Sequence, residues 1–280
     1  MGISVSTMRL IARTMKDRHL SGMCVTYGVQ GVEGQYSDVR KILSMEGYKY
    51  RDIDKDSIIM DDITQFGKTI HQSVLFNMLG FDIVDSIDVS ARENPTHVLN
   101  LNKPIDQTLH CRYDMVYDGG TAEHCFNITE VLSNTVRLLK AGGIVIHHLP
   151  ISGYLEHGYY QISPSLLFDF YNANDFTDIE AKIHISHSRT KSCYFDFTSP
   201  AKLPHNFGNP TMIFFTARKN SVHNDVVFPV QNVNPEHFIT NRGIESFLSD
   251  LYTILPENFA SKTLQLCKKI TCMYACKRLS

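Results

Sequence analysis

No stretch of the 280-residue chain reaches the run of roughly 18 apolar residues that a membrane-spanning helix needs. Charge of one sign is missing too. The 27 Lys and Arg against 29 Asp and Glu leave a net charge of -2, which gives no reason to expect a polyanionic partner such as nucleic acid. The seven cysteines lack the paired spacing of a disulfide-stapled small domain, so reduced thiols in a cytoplasmic compartment are expected. Cys267, Cys272 and Cys276 have neither a tight Cys-x-x-Cys pair nor a nearby His, which excludes a zinc site there. No internal repeat is present. What remains is ordinary globular material, 43% hydrophobic and 20% charged, long enough to bury a full core.

The chain is organised around residues 113–147. An apolar strand stops at Asp118 and turns on Gly119-Gly120. A helix follows from about Asn127, with Ile128, Val131, Leu132, Thr135, Val136 and Leu139 at helical spacing and Gly142-Gly143 as its stop. Residues 144–146 form the next strand, which completes a βαβ unit. In open α/β sheets, ligands sit at the carboxyl ends of such strands.

The residues before it supply three more strands. Residues 23–29 are apolar and β-branched and run into Gly28-Val-Gln-Gly31, whose glycines would let backbone approach a ligand closely. Residues 81–89 make a second strand with Asp88 at its end, the position from which an acid accepts hydrogen bonds from ribose hydroxyls. Asp85 alternates to the face of Ile87 and Val89, so Asp88 is favoured. Residues 96–102 are the third strand, ending in Asn100-Leu101-Asn102. Helices are expected over 37–45 and 71–79, with an amphipathic leading helix on Met8, Ile11, Ala12 and Met15. The polar segment 46–69 reads as a loop or as an insertion over the site. Ser163-Pro164 opens a helix to about Asn174, and residues 178–187 and 210–218 are the last two strands.

Two elements carry a resemblance. Residues 113–124 (YDMVYDGGTAEH) and 137–143 (RLLKAGG, with Ala141 where Pro is usual) resemble the class I S-adenosylmethionine-dependent methyltransferases over roughly residues 22–219. The stretch HGYYQISPSLLFDFY from His157 looks like an element of a bacterial-type small-molecule or glycan subgroup. The resemblance implies an α/β fold: a Rossmann-like seven-stranded methyltransferase sheet flanked by helices, with a helical C-terminal extension. The expected divisions are an N-terminal helix over 1–21, the methyltransferase domain over 22–219 and the extension over 220–280, with helices at 245–252 and 260–279. The basic face of the last helix reads as solvated. S-adenosyl-L-methionine is the implied cofactor, held by Gly28, Gly31, Asp88, Asn100, Leu101, Asp118 and Gly119. Two departures stand out. Thr26 and Tyr27 occupy the place where an acid often ends the first strand, so another group must take its part. Asn100 replaces the usual Asp near the adenine amino group, keeping an acceptor oxygen without charge.

Methyl transfer needs an aligned nucleophile and, for some acceptors, a base. His157, in a glycine-containing loop after the fifth strand, and His124, beside Glu123, are the candidates. Some O-methyltransferases bind a divalent ion through Glu-x-x-Glu-His at this place; Gly120 stands at the first Glu position here, so no metal is expected. The expected acceptor is a small molecule or glycan with an O or N nucleophile. The alternative is a non-catalytic methyltransferase-like cofactor-binding or scaffold protein. A nicotinamide-dependent oxidoreductase is disfavoured, because the first turn lacks Gly-x-Gly-x-x-Gly.

Overall fold

A computed structural model of the chain describes residues 2–16, 18, 20–61, 67, 69–188, 191–197, 209–222 and 225–231. The helices expected at 245–252 and 260–279 lie outside the described residues. At the centre is one sheet made of β1 (Gly22–Tyr27), β2 (Phe81–Asp88), β3 (His97–Val98), β4 (Tyr113–Asp118), β5 (Leu139–Ser152), β6 (Phe176–Ser188), β7 (Lys191–Asp196) and β8 (Thr211–Lys219). Their order across the sheet is β7-β6-β8-β5-β4-β1-β2-β3. Strands β1 to β5 run parallel, and β8, β6 and β7 add antiparallel pairs beyond β5. Successive strands are laid outward in opposite directions on the two sides of the β1–β4 junction, the switch point at which such sheets bind ligands.

Strand alternation divides the core in two. Cys24, Met115, Tyr117, Ile144, Ile146 and Phe214 face α1 (Val5–Lys16), α2 (Tyr36–Met45) and α3 (Gln72–Met78). Val25, Tyr27, Val116, Val145, Ile213 and Phe215 face α4 (Ile128–Leu138) and α5 (Pro164–Ala173). The leading helix shares the first of these cores, burying Met8, Leu10, Ile11, Ala12 and Met15. Arg13 ties it to α2's end by an ion pair of 2.6 Å with Glu46. The described part of the polar segment packs on the same side, with Tyr48, Tyr50, Ile53 and Ile58 against that core.

Three details depart from the sequence expectation. Among the described residues the sheet has eight strands, not seven, because β7 folds back on β6 as a hairpin inside what reads as a loop between the last two strands. The third strand is two residues long. Asn100 Oδ1 accepts from Asn102 N at 3.0 Å and turns the chain away from β2. Gly142 does not stop α4. The helix passes straight into β5 at Leu139, and Gly142 (φ 81) lies within that strand, where Arg218 Nη1 donates to its carbonyl at 2.7 Å. The helix end is closed instead from β8. The buried Lys219 Nζ donates to Val136 O at 2.7 Å and to Leu139 O at 3.0 Å, satisfying carbonyls the helix leaves open.

Candidate active site

The carboxyl ends of β1, β2 and β4 meet at Gly28. Its backbone is left-handed (φ 70), and its N–H donates to Ile87 O on β2 at 2.7 Å. A Cβ there would stand 3.1 Å from Thr121 Oγ1, 3.6 Å from Gln30 Nε2 and 3.7 Å from Asp88 Oδ2. The turn thus needs glycine for its φ, and the lack of a side chain brings three elements within reach of one point. Asp88 Oδ1 accepts from Ser90 N at 2.8 Å, which orients the carboxylate while Oδ2 faces the Gly28 turn. Asp85, as the alternation requires, is buried on the other side and takes the Tyr113 hydroxyl at 2.7 Å.

Gln30, a residue the sequence reading passed over, is the organiser of this turn. It is buried, its N–H donates to Gln72 Oε1 at 2.6 Å, and its Nε2 donates to Tyr27 O at 2.6 Å. Thr121 Oγ1 donates to the same carbonyl at 2.7 Å, and Thr26 Oγ1 donates to Gly28 O at 2.8 Å. Gln30 Oε1 is left buried with no hydrogen-bond partner. This orphan acceptor stands beside the turn where an acid was expected and not found. A polar residue between two glycines of the first turn was the available signal.

The remaining cofactor candidates separate. Gly119 has no room for a side chain, since a Cβ would lie 2.5 Å from Gln30 Oε1 and 2.7 Å from Tyr117 Cε1. Asp118 is completely buried. Its Oδ1 accepts from Thr121 N at 2.9 Å and its Oδ2 meets His147 Nδ1 at 2.9 Å, so its side chain braces the loop. Leu101 is a core residue whose carbonyl accepts from Asn134 Nδ2 at 3.2 Å. Asn100 Oδ1 already accepts from Asn102 N and Nδ2 at 3.0 and 2.9 Å, so its amide presents the NH2 group outward. Gly31 leaves the turn altogether. It pairs with Gly2 in a two-residue parallel ladder.

On the far side of β4, a short turn over Ala122–His124 carries Glu123 inward and His124 outward. The loop after β5 closes over it: Tyr159 N and Tyr160 N donate to Glu123 O at 2.8 and 3.2 Å. A Cβ at Gly158 would lie 2.9 Å from Glu123 O and 3.2 Å from His124 Nδ1, so only glycine permits this contact. The result brings His157 and His124 together, rings 5.0 Å apart and edge-on. Each Nε2 lies just beyond hydrogen-bond range of Glu123 Oε1, at 3.8 Å for His157 and 3.9 Å for His124. Both Glu123 oxygens are buried without a hydrogen bond. Burial, reinforced by the nearby Asp118, pushes the Glu123 carboxyl up to about 8. Burial and the neighbouring His157 lower the pKa of His124. Glu123 therefore holds a proton near neutrality when nothing is bound, and the trio presents one carboxylate and two imidazole atoms that can ligate a cation. Beside it Phe126 and Tyr159 stand 74% and 68% exposed, edge-to-face at 5.7 Å, and Tyr160 OH donates to Phe126 O at 2.6 Å.

No protein-family model and no curated protein sequence matches the chain. Solved structures do. Phosphoethanolamine N-methyltransferase 2 of Haemonchus contortus, in complex with phosphomonomethylethanolamine and S-adenosylhomocysteine, matches at 14% identity and a TM-score of 0.39 over 76% of this chain; the match spans about half, 52%, of that enzyme's length. Burkholderia thailandensis 1,6-didemethyltoxoflavin-N1-methyltransferase matches at 14% identity and a TM-score of 0.36, over 76% of this chain and 79% of that one. The 16S rRNA (adenine(1408)-N(1))-methyltransferase of Catenulisporales acidiphilia matches at 13% identity and a TM-score of 0.37, over 76% and 92%.

Proposed function

We propose that the chain is an S-adenosyl-L-methionine-dependent methyltransferase of the class I kind, acting on an oxygen or nitrogen nucleophile of a small-molecule or glycan-type acceptor. The observation that carries the reading is the convergence at Gly28 of Asp88 and the loop after β4, at the switch point of the sheet. The residues present fit the cofactor. Asp88 Oδ2 is an acceptor for ribose hydroxyls, and the orphan Gln30 Oε1 is an acceptor for an ammonium group. Gly28 and Gly119 keep the floor free of side chains. When bound, this cofactor supplies an electrophilic methyl group on a sulfonium. The chain's part is to align the nucleophile and exclude water. The Glu123–His124–His157 trio handles the acceptor's proton or charge, and the Phe126–Tyr159 shelf offers an aromatic surface to a planar or apolar part of it.

Titration calorimetry with S-adenosylmethionine and S-adenosylhomocysteine tests the reading. Asp88→Ala should weaken both by about 1.5–3 kcal/mol, roughly 10- to 150-fold, the scale of a hydrogen bond to a charged group. Unchanged affinity in that variant would remove the ribose role, and no binding by the wild-type chain would remove the function.

A further inference from the structure

From this arrangement we infer that Glu123, His124 and His157 are a three-ligand site for a divalent transition-metal ion. Their ligand atoms all lie within 4.8 Å of one another, and this is the group of its kind among the described residues. The sequence argued against a metal because Gly120 takes the place of a first acid. The fold supplies a third ligand from elsewhere, 33 residues on from His124 in the loop after β5.

Three observations carry the inference. First, a carboxylate with both oxygens buried and unpartnered is an expensive thing to keep, and a cation is the partner that removes the penalty. Glu123 Oε1 faces both imidazoles, and neither carboxylate oxygen has a hydrogen-bond partner. Second, the loop is built to deliver His157: two backbone N–H groups latch it to Glu123 O, and Gly158 leaves the gap a side chain would fill. Third, the donor chemistry is coherent. Two imidazoles and one carboxylate suit Zn²⁺, Co²⁺, Ni²⁺, Mn²⁺ or Fe²⁺, and not the all-oxygen preference of Ca²⁺ or Mg²⁺. Bonds of about 2.0–2.2 Å to Zn²⁺ require the ligand atoms to draw in by roughly an ångström. Both histidines are partly exposed, so small rotations of their rings achieve it. Three protein ligands leave an open position for water or for an acceptor heteroatom, a Lewis-acid arrangement. Only that last role rests on the methyltransferase reading; the binding of the ion does not.

The test is equilibrium dialysis of the untagged full chain against Co²⁺ and Zn²⁺, with the visible absorption of bound Co²⁺ as a second readout. About one ion per chain is expected, with a cobalt spectrum of low coordination number. His157→Ala and His124→Ala should each weaken binding by more than about 100-fold, since loss of an outer-shell partner alone reaches 10- to 100-fold. Glu123→Gln should do the same. If that buried substitution prevents folding, the two exposed histidine variants decide the matter. Binding that survives each histidine substitution, or no ion retained by the wild-type chain, overturns the site. S-adenosylmethionine calorimetry on the same samples separates the two claims: cofactor affinity should be unchanged in His157→Ala, and its absence in wild type would fail the functional reading without touching the metal result.

Discussion

His147 Nδ1 sits 2.9 Å from Asp118 Oδ2, with neither side chain exposed at all. The imidazole's other nitrogen lies 2.6 Å from Tyr171 OH. With Nδ1–H donating to the carboxylate, the Tyr171 hydroxyl donates to Nε2, so one ring joins β4, β5 and α5 with every polar atom satisfied. Burial raises the Tyr171 hydroxyl well above its ordinary pKa, which keeps the proton that this bond needs. Asp118→Ala strands the His147 donor and the N–H of Thr121 together. It should destabilise the chain by about 3–5 kcal/mol, read as a lowered urea midpoint. A loss under about 1 kcal/mol would show that the pair does not hold the strands.

A buried pair of imidazoles sets a pH response. His148 Nε2 and His184 Nδ1 are 2.9 Å apart between β5 and β6, with Phe214 of β8 packed on His148. Burial holds His148 well below its usual value, with His184 adding to the effect, and burial lowers His184 to about 4. Both are bases whose folded pKa is depressed, so the unfolded chain binds more protons between the two values. Stability is therefore complete above about pH 6.5 and falls as pH drops toward about 4, by roughly 3 kcal/mol for His184 alone. Urea melts across that range should show the slope, and His184→Phe should flatten it. An identical slope in that variant would assign the acid sensitivity elsewhere.

Gly119 and Gln30 are coupled by contact. Gly119→Ala drives a methyl group against Gln30 Oε1 and Tyr117, at an expected cost of about 1–3 kcal/mol. Gln30→Ala removes one of the two obstacles. The double variant should then be more stable than the sum of the singles predicts by more than about 0.5 kcal/mol. Strict additivity in a thermodynamic cycle would refute the contact.

His157→Ala should lower turnover by about 10²–10⁴ once an acceptor is in hand, the range for losing proton-handling at the nucleophile. Affinity for S-adenosylmethionine should stay within about twofold, because His157 belongs to the trio beyond β4 and not to the Gly28 turn. A variant that remains fast excludes the residue from the reaction. Adding a chelator to the wild type distinguishes its two possible parts: activity lost on chelation and restored by Zn²⁺ or Co²⁺ marks a ligand, whereas indifference marks a base.

The parts of the site that were legible in the sequence are the ones encoded locally. Asp88 follows from strand alternation and Gly28 from a break in an apolar run, and both stand at strand ends. His124 and His157 each read as a strand-end histidine, but their meeting with Glu123 depends on how the β5 loop packs, which no spacing reveals. Gln30 was hidden because a glutamine beside glycine reads as a turn residue; only its buried, unpaired oxygen marks it out. Gly142 misled because the glycine that ends a helix and the glycine inside an irregular strand look alike when Lys219, the actual cap, lies far along the chain. Asn100 keeps the acceptor the sequence offered but has already used it.

The last described strand does not sit at an edge. β8 lies between β5 and β6, so the hairpin of β6 and β7 has nothing to pair with in the sheet until residues 211–219 arrive. The same strand brings Lys219 to carbonyls 83 and 80 residues earlier. During synthesis, then, β5 presents a bare edge and α4 an open end for the whole time that the intervening residues emerge. Assembly of this half of the sheet waits on residues 211–219, and such long-range closure is slow. A nascent chain halted before residue 211 would hold the strand ends around Gly28 but expose β5, an unpaired template for other chains.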